Sequence, residues 1–113
     1  MPEPGDVEVA AAAFRMLSDP NRIKILWALL QGESSVNCLA DLIEASPSAV
    51  SQHLAKLRLA GLVSVRREGT FAYYAAANTH VQRLLDEALN HADHTTRDIP
   101  NDAHHAHPRP ARR

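Results

Sequence analysis

Only one cysteine, Cys38, occurs in the 113 residues. A lone thiol excludes an intramolecular disulfide and fits a reducing cytoplasm. No apolar run approaches the roughly 18 residues that a membrane-crossing helix needs. The opening MPEPGDVEVA is acidic and lacks both a charged leader and an apolar stretch, so a signal peptide is not expected. A Gly-rich phosphate loop and a nucleophile motif are also missing, and no activated Ser or Cys pairs with the histidines, so an enzyme is not expected. The most informative absence is local. Between Ser46 and Arg67 there is no Asp or Glu, whereas Lys56, Arg58, Arg66 and Arg67 all lie there. The net charge of −1 therefore conceals an asymmetry: Glu3, Asp6 and Glu8 load the start of the chain and leave a basic side elsewhere.

The acid-free stretch begins with Ser46 as a helix N-cap and Pro47 at the first helical position. Val50, Leu54 and Leu57 follow at i, i+4, i+7 and form an inward stripe. At about 100° per residue, Ser48, Gln52, Ala55 and Leu59 point the opposite way, with Ser51 and Lys56 on the flanks. Such a face is small and uncharged, with cations beside it. That suits a helix lying in a DNA major groove, where base edges are read in front and phosphates are met at the sides. An ordinary amphipathic helix with a solvated face would carry the same pattern, so the neighbouring elements must decide.

The spacing predicts a first helix over 7–17, with Val9, Ala10, Ala13, Phe14 and Leu17 as its apolar set, after a flexible 1–6. A second helix starts at a Ser18 or Asp19 cap with Pro20 and runs to about Leu30, with Ile23, Leu26, Trp27 and Leu30 inward. A short third helix carries Val36, Leu39, Ala40 and Ile43, about three residues before the Ser46 helix, as in a helix-turn-helix. Gly61 ends the fourth helix. Leu62–Arg67 and Phe71–Ala75 flank Glu68-Gly69-Thr70 as a hairpin. A basic hairpin directly after a candidate recognition helix is the wing of a winged helix-turn-helix, and it decides for DNA; Arg66 and Arg67 would reach phosphates or the minor groove. A last helix over 80–94 follows Asn78, with Val81, Leu84, Leu85, Ala88 and Leu89 as its stripe. Residues 95–113 are too polar to offset the entropy of ordering and should form a disordered, His-rich tail. The expected fold is mostly α, with about five helices and one β-hairpin wing, the domain spanning 7–94.

The run SVNCLADLIEASPSAVSQHLAKLRLAGLVSVRREGTFAYYAA resembles the ArsR/SmtB family of bacterial metal-responsive repressors, and the similarity covers about residues 10–94. The resemblance implies a homodimer, formed chiefly by the first and last helices, on an operator with dyad symmetry. It places Ser48, Ser51, Gln52 and His53 on the DNA-reading helix. His53 lies nearer the apolar flank, so it is either a base contact or a packing residue. The family's Cys-x-Cys site falls on Ser35 and Asn37 and is absent; Cys38, one place later, reads as a small core filler.

The family's other site, Asp-x-His followed by His-x-x-His or Glu, here becomes Asn78-Thr79-His80, then His91 and His94. His80 and His91 share a helix face but stand about 16 Å apart, so only two antiparallel helices across a dyad could bring them to one ion. Asn78 replaces a carboxylate, and Asp93, His104 and His105 stand nearby as substitute donors, with His107 beyond them. Extra histidines beyond the helix resemble the nickel- and cobalt-responsive actinobacterial members. Imidazole and carboxylate donors suit Ni(II) foremost, and also Co(II) or Zn(II). The leading expectation is a cytoplasmic, dimeric repressor whose operator affinity is modulated by such a metal. The alternatives are a regulator with a decayed metal site, controlled by a second regulatory protein or acting as an activator, and a His-rich metal buffer.

Overall fold

A computed structural model of the chain describes residues 1–97. It contains α1 (Pro4–Met16), α2 (Pro20–Gln31), α3 (Val36–Ile43), α4 (Pro47–Leu59), β1 (Val63–Glu68), β2 (Phe71–Ala76) and α5 (Thr79–Arg97). Four of the helices start on side-chain caps, that of α5 being Asn78. Asp19 accepts the N–H of Arg22, Ser35 that of Cys38 and Ser46 that of Ala49. Each cap satisfies a backbone donor left without a partner in a first helical turn.

The core is built from α2 to α5 and the base of the hairpin. Ile25, Leu26, Leu39, Val50, Leu54, Leu57 and Leu85 are all but fully buried, and Leu62, Val63 and Val81 close around them. Burying each such side chain contributes about 1.5–3 kcal/mol. The inward sets of α3 and α4 agree with their sequence periodicity: Leu39, Ala40 and Ile43 on one, Val50, Leu54 and Leu57 on the other. Between these helices Glu44 turns the chain in the left-handed region (φ 59°). That conformation costs a residue other than glycine about 1 kcal/mol and produces the abrupt helix-to-helix turn. After α4, the N–H groups of Gly61 and Leu62 bond to the carbonyls of Arg58 and Leu57. Gly61, at φ 77°, supplies the positive φ that this cap demands.

β1 and β2 pair antiparallel from Val63↔Ala76 to Glu68↔Phe71, leaving a two-residue loop of Gly69 and Thr70. Gly69 has φ 62°, as the first position of a type II′ hairpin turn requires. The loop is one residue shorter than expected, because Glu68 belongs to the ladder. Ser34 adds an unforeseen short bridge to the far edge of β2, exchanging two bonds of 3.0 and 2.8 Å with Tyr74.

Several sequence expectations need correction. α1 begins at Pro4, so residues 4–6 are helical and not a flexible lead. None of its residues is buried: Val9 is 70% and Phe14 61% exposed. Met16 and Leu17 pack against the core, and the Arg22 guanidinium donates to the carbonyls of Met16 and Arg15 at the end of α1. In α2 the buried set is Ile25, Leu26, Ala28 and Leu29. Trp27 is 47% exposed, while Ile23 and Leu30 are only partly covered. Apolar residues surround this helix, which leaves its phase undetermined by pattern alone. Cys38 is exposed, since it sits across α3 from the Leu39/Ala40/Ile43 stripe. In α5, Val81 and Leu85 are buried and Leu84 is half-buried, whereas Ala88 and Leu89 are exposed. The helix continues to Arg97, three residues past the expected end. The remaining tail, with His104, His105 and His107, lies outside the described residues.

Leu54→Ala should lower unfolding stability by about 2–5 kcal/mol in urea titration. The same truncation at Leu59, 90% exposed on the same helix, should cost no more than about 0.5 kcal/mol.

Candidate nucleic-acid interface and the histidine face

With Val50, Leu54 and Leu57 locked into the core, α4 can turn only one side outward. Ser48, Ser51, Gln52, Ala55, Lys56, Arg58 and Leu59 are all exposed. Ser48, Gln52, Ala55 and Leu59 lie within about 60° of one another around the axis. Hydroxyl, amide, methyl and isobutyl groups thus form an unbroken uncharged strip, and Lys56 and Arg58 stand beside its C-terminal half. His53 does not belong to that strip. It is half-buried, and its Nε2 lies 3.9 Å from Oδ2 of Asp19, the residue that caps α2. The Asp19 carboxyl is held below its ordinary range, chiefly by the N–H of Arg22, with His53 adding a weaker pull against partial desolvation. His53 therefore faces the start of α2 from the flank of α4.

The two wing arginines separate. Alternation along a strand puts neighbours on opposite faces, and only one of them is held. Arg66 lies opposite Tyr73 in the ladder, and its guanidinium sits 4.9 Å from the centre of that ring. From there Nη2 and Nε donate to the two carboxylate oxygens of Glu33 at 2.9 and 3.2 Å, while Nη1 donates to Glu68 at 3.2 Å. The side chain crosses β2 to reach the segment paired with that strand's far edge. The Arg66 guanidinium is thus engaged by two carboxylates and an aromatic ring of its own chain. Arg67 is exposed and, among the described residues, has no ion-pair partner. Glu33 was missed from sequence, because nothing local to residue 33 announces a partner thirty-three residues away.

On α5, the Oδ1 of Asn78 accepts the N–H groups of His80 and Val81 at 3.0 and 3.2 Å. The amide oxygen is thus spent on the helix cap, which leaves Asn78 only its NH₂ to present. His80, His91 and His94 are exposed and cluster within about 60° of one another around the helix, more than about 80° from Val81 and Leu85. Among the described residues no protomer brings three His, Cys, Asp or Glu side chains together for a metal. Asp93 is not on the histidine face. It lines a groove of about 790 Å³ with Trp27, Leu42 and Leu89, between α2, α3 and α5.

A compact helix-turn-helix, a paired wing and an uncharged reading strip define a winged-helix regulator of transcription, and known proteins agree. Residues 19–65 match the family described as "Bacterial regulatory protein, arsR family". The chain is 45% identical over 105 residues to the HTH-type transcriptional regulator KmtR of Mycobacterium tuberculosis, covering 92% of this chain and 79% of that one. It is 39% identical over 82 residues to a cadmium resistance transcriptional regulatory protein CadC homolog of Staphylococcus aureus, covering 72% and 68%. A homodimeric winged helix-turn-helix DNA-binding domain from Mycobacterium bovis superposes with a TM-score of 0.78 at 31% identity, covering 86% of this chain and 90% of that one. The chain belongs to the ArsR family of DNA-binding transcriptional regulators and is not an enzyme.

The Glu33 carboxyl is held below its ordinary value of 4.5, chiefly by the Arg66 hydrogen bonds, with slight desolvation opposing and the Arg66 charge adding. A folded pKa below the unfolded one means that this contact stabilises fully above 4.5 and is lost as pH falls through the depressed value. A carbon-detected NMR titration should place the Glu33 midpoint below 4.5, and Arg66→Ala should raise it. A midpoint indifferent to that substitution would contradict the contact.

Proposed function

We propose that this chain is a dimeric regulator that binds an operator of dyad symmetry and changes its grip when a transition metal joins the two α5 helices. The observation that carries the proposal is the histidine face of α5. Three imidazoles are arrayed away from the core on a helix whose remaining outward surface includes the apolar Ala88 and Leu89. α1, which exposes Val7, Val9 and Phe14, supports a second copy as the cover. Ser48, Ser51, Gln52, Lys56, Arg58 and Arg67 are assigned to DNA, the first three to base edges and the cations to phosphates.

The donors fit a metal only across the dimer. His80 of one protomer would stand with His91 and His94 of its partner, and the histidines at 104 and 105 are proposed to complete the set. Asn78 contributes the helix cap and no ligand. Cys38 has no second thiol on α3, since Ser35 and Asn37 occupy the neighbouring positions, so the thiolate chemistry that favours soft metals is missing. An imidazole set suits Ni(II) ahead of Co(II), with Zn(II) also accommodated. A bound metal supplies fixed coordination angles; the protein converts them into one crossing angle of two helices and hence one separation of two α4 reading strips. A relative named for cadmium resistance supports metal as the class of signal. The work would be done in the cytoplasm, where the DNA is.

One observation favours a second reading, a regulator that has lost its metal site and answers to a partner protein: the Asn78 oxygen is already occupied. A mobility shift on the protein's own upstream DNA separates the two. Ni(II), Co(II) or Zn(II) should change operator affinity by about 5–150-fold. His91→Ala with His94→Ala should erase that change while leaving metal-free affinity intact. Equal affinity with and without all three metals would contradict the sensing.

A further inference from the structure

Arg66 and Glu33 have no part in the reading strip or the histidine face, yet they make a two-point, charge-assisted contact between the wing and the α2–α3 segment. We propose that Glu33 is a positioning residue for DNA binding: through Arg66 it fixes the wing against the α2–α3 segment, and so aims Arg67 at the backbone. The proposal rests on the assignment of Arg67 to phosphate.

A two-stranded ribbon is marginal on its own and needs packing to hold an orientation. At its base this ribbon has Val63 and the Ser34–Tyr74 bridge. Farther out, Arg66 and Arg67 are exposed on β1, and Ala72 and Tyr73 opposite them on β2 are half-buried but do not pack against the buried core cluster. There Arg66 spans the ribbon. Its backbone is in β1, its guanidinium rests on the Tyr73 ring of β2, and its fork closes on Glu33, the residue before Ser34. Two-point pairing fixes direction as well as distance, which a lysine or a single bond would not. The Glu68 contact differs in kind. It joins Arg66 to its own strand and links the wing to nothing else. The same guanidinium is thus held by one carboxylate that anchors the wing and another that does not.

This difference makes an acidic residue favourable to binding a polyanion. By charge alone, removing either carboxylate should tighten binding to DNA and free Arg66 for a phosphate. The test compares Glu33→Ala with Glu68→Ala on a duplex from the protein's own upstream region, at several salt concentrations, with Arg67→Ala alongside. Glu33→Ala should weaken binding about two- to fivefold, the range that the coupling of exposed ion pairs supports, with the thermal midpoint unchanged. Glu68→Ala should bind as well as or better than the wild type, and Glu33→Gln, which keeps one acceptor for the fork, should recover part of the loss. Tighter binding by both alanine variants, with the salt slope steeper by about one phosphate contact, would show that Arg66 serves DNA directly and overturn the proposal. Unchanged binding by Glu33→Ala would overturn it as well. The underlying assignment fails separately: if Arg67→Ala alters neither affinity nor salt slope, the wing does not meet phosphate and there is nothing for Glu33 to aim.

Discussion

The face that α4 turns to solvent depends on three side chains that never reach it. Val50, Leu54 and Leu57 are entirely withdrawn from solvent, and their burial fixes the rotation of α4 about its own axis. A helix rotated by one residue, about 100°, would bring Val50 or Leu54 to the surface and turn Gln52 or Ser48 inward, according to the sense of rotation. Burying unpartnered hydroxyl and amide groups is costly, so the apolar stripe selects the reading strip by excluding the alternatives. The caps at Ser46 and Gly61 set where the helix starts and stops.

The elements legible in the sequence were those whose one-sided pattern is resolved within the protomer. α3 and α4 have narrow apolar stripes and explicit caps, so their boundaries and inward residues followed from spacing. α2 was legible as a helix but not in its orientation, because isoleucine, leucine and tryptophan surround its axis and the small Ala28 takes the close contact that a larger residue was expected to make. α1 has an apolar set that the single protomer leaves uncovered, so a reading that assigns every apolar stripe to the core misplaces it. Cys38 was misplaced for a simpler reason: residue type suggested burial, while its angle on α3 put it outside. The exposure of the polar positions of α4 followed from its buried stripe. The fate of Arg66 depended on Glu33, and a contact between loop and strand leaves no local periodicity to find.

The circumference of α5 is divided between two faces. Val81 and Leu85 join it to the core of its own protomer, and the histidines occupy a face turned away from that core. This separation is what a transmitting helix requires. A ligand on the outer face can alter how two such helices cross without unpacking either domain, because the inner face is held by buried apolar contact. In the proposed dimer, the winged domains would then move as rigid bodies about α5, each carrying its α4 strip and its braced wing. Losing half-site register is a loss of affinity, and by linkage DNA and metal must each affect the binding of the other by the same factor.

The distance between the two reading strips is the most direct measure of that coupling. Nitroxide labels attached through Gln52→Cys, in a Cys38→Ser background, allow pulsed electron–electron resonance to report it in the dimer, and diamagnetic Zn(II) leaves the signal unperturbed. The account predicts that Zn(II) shifts or narrows the distance distribution and that His91→Ala with His94→Ala abolishes the change. Superimposable distributions with and without zinc, under conditions where calorimetry shows the metal bound, would contradict it.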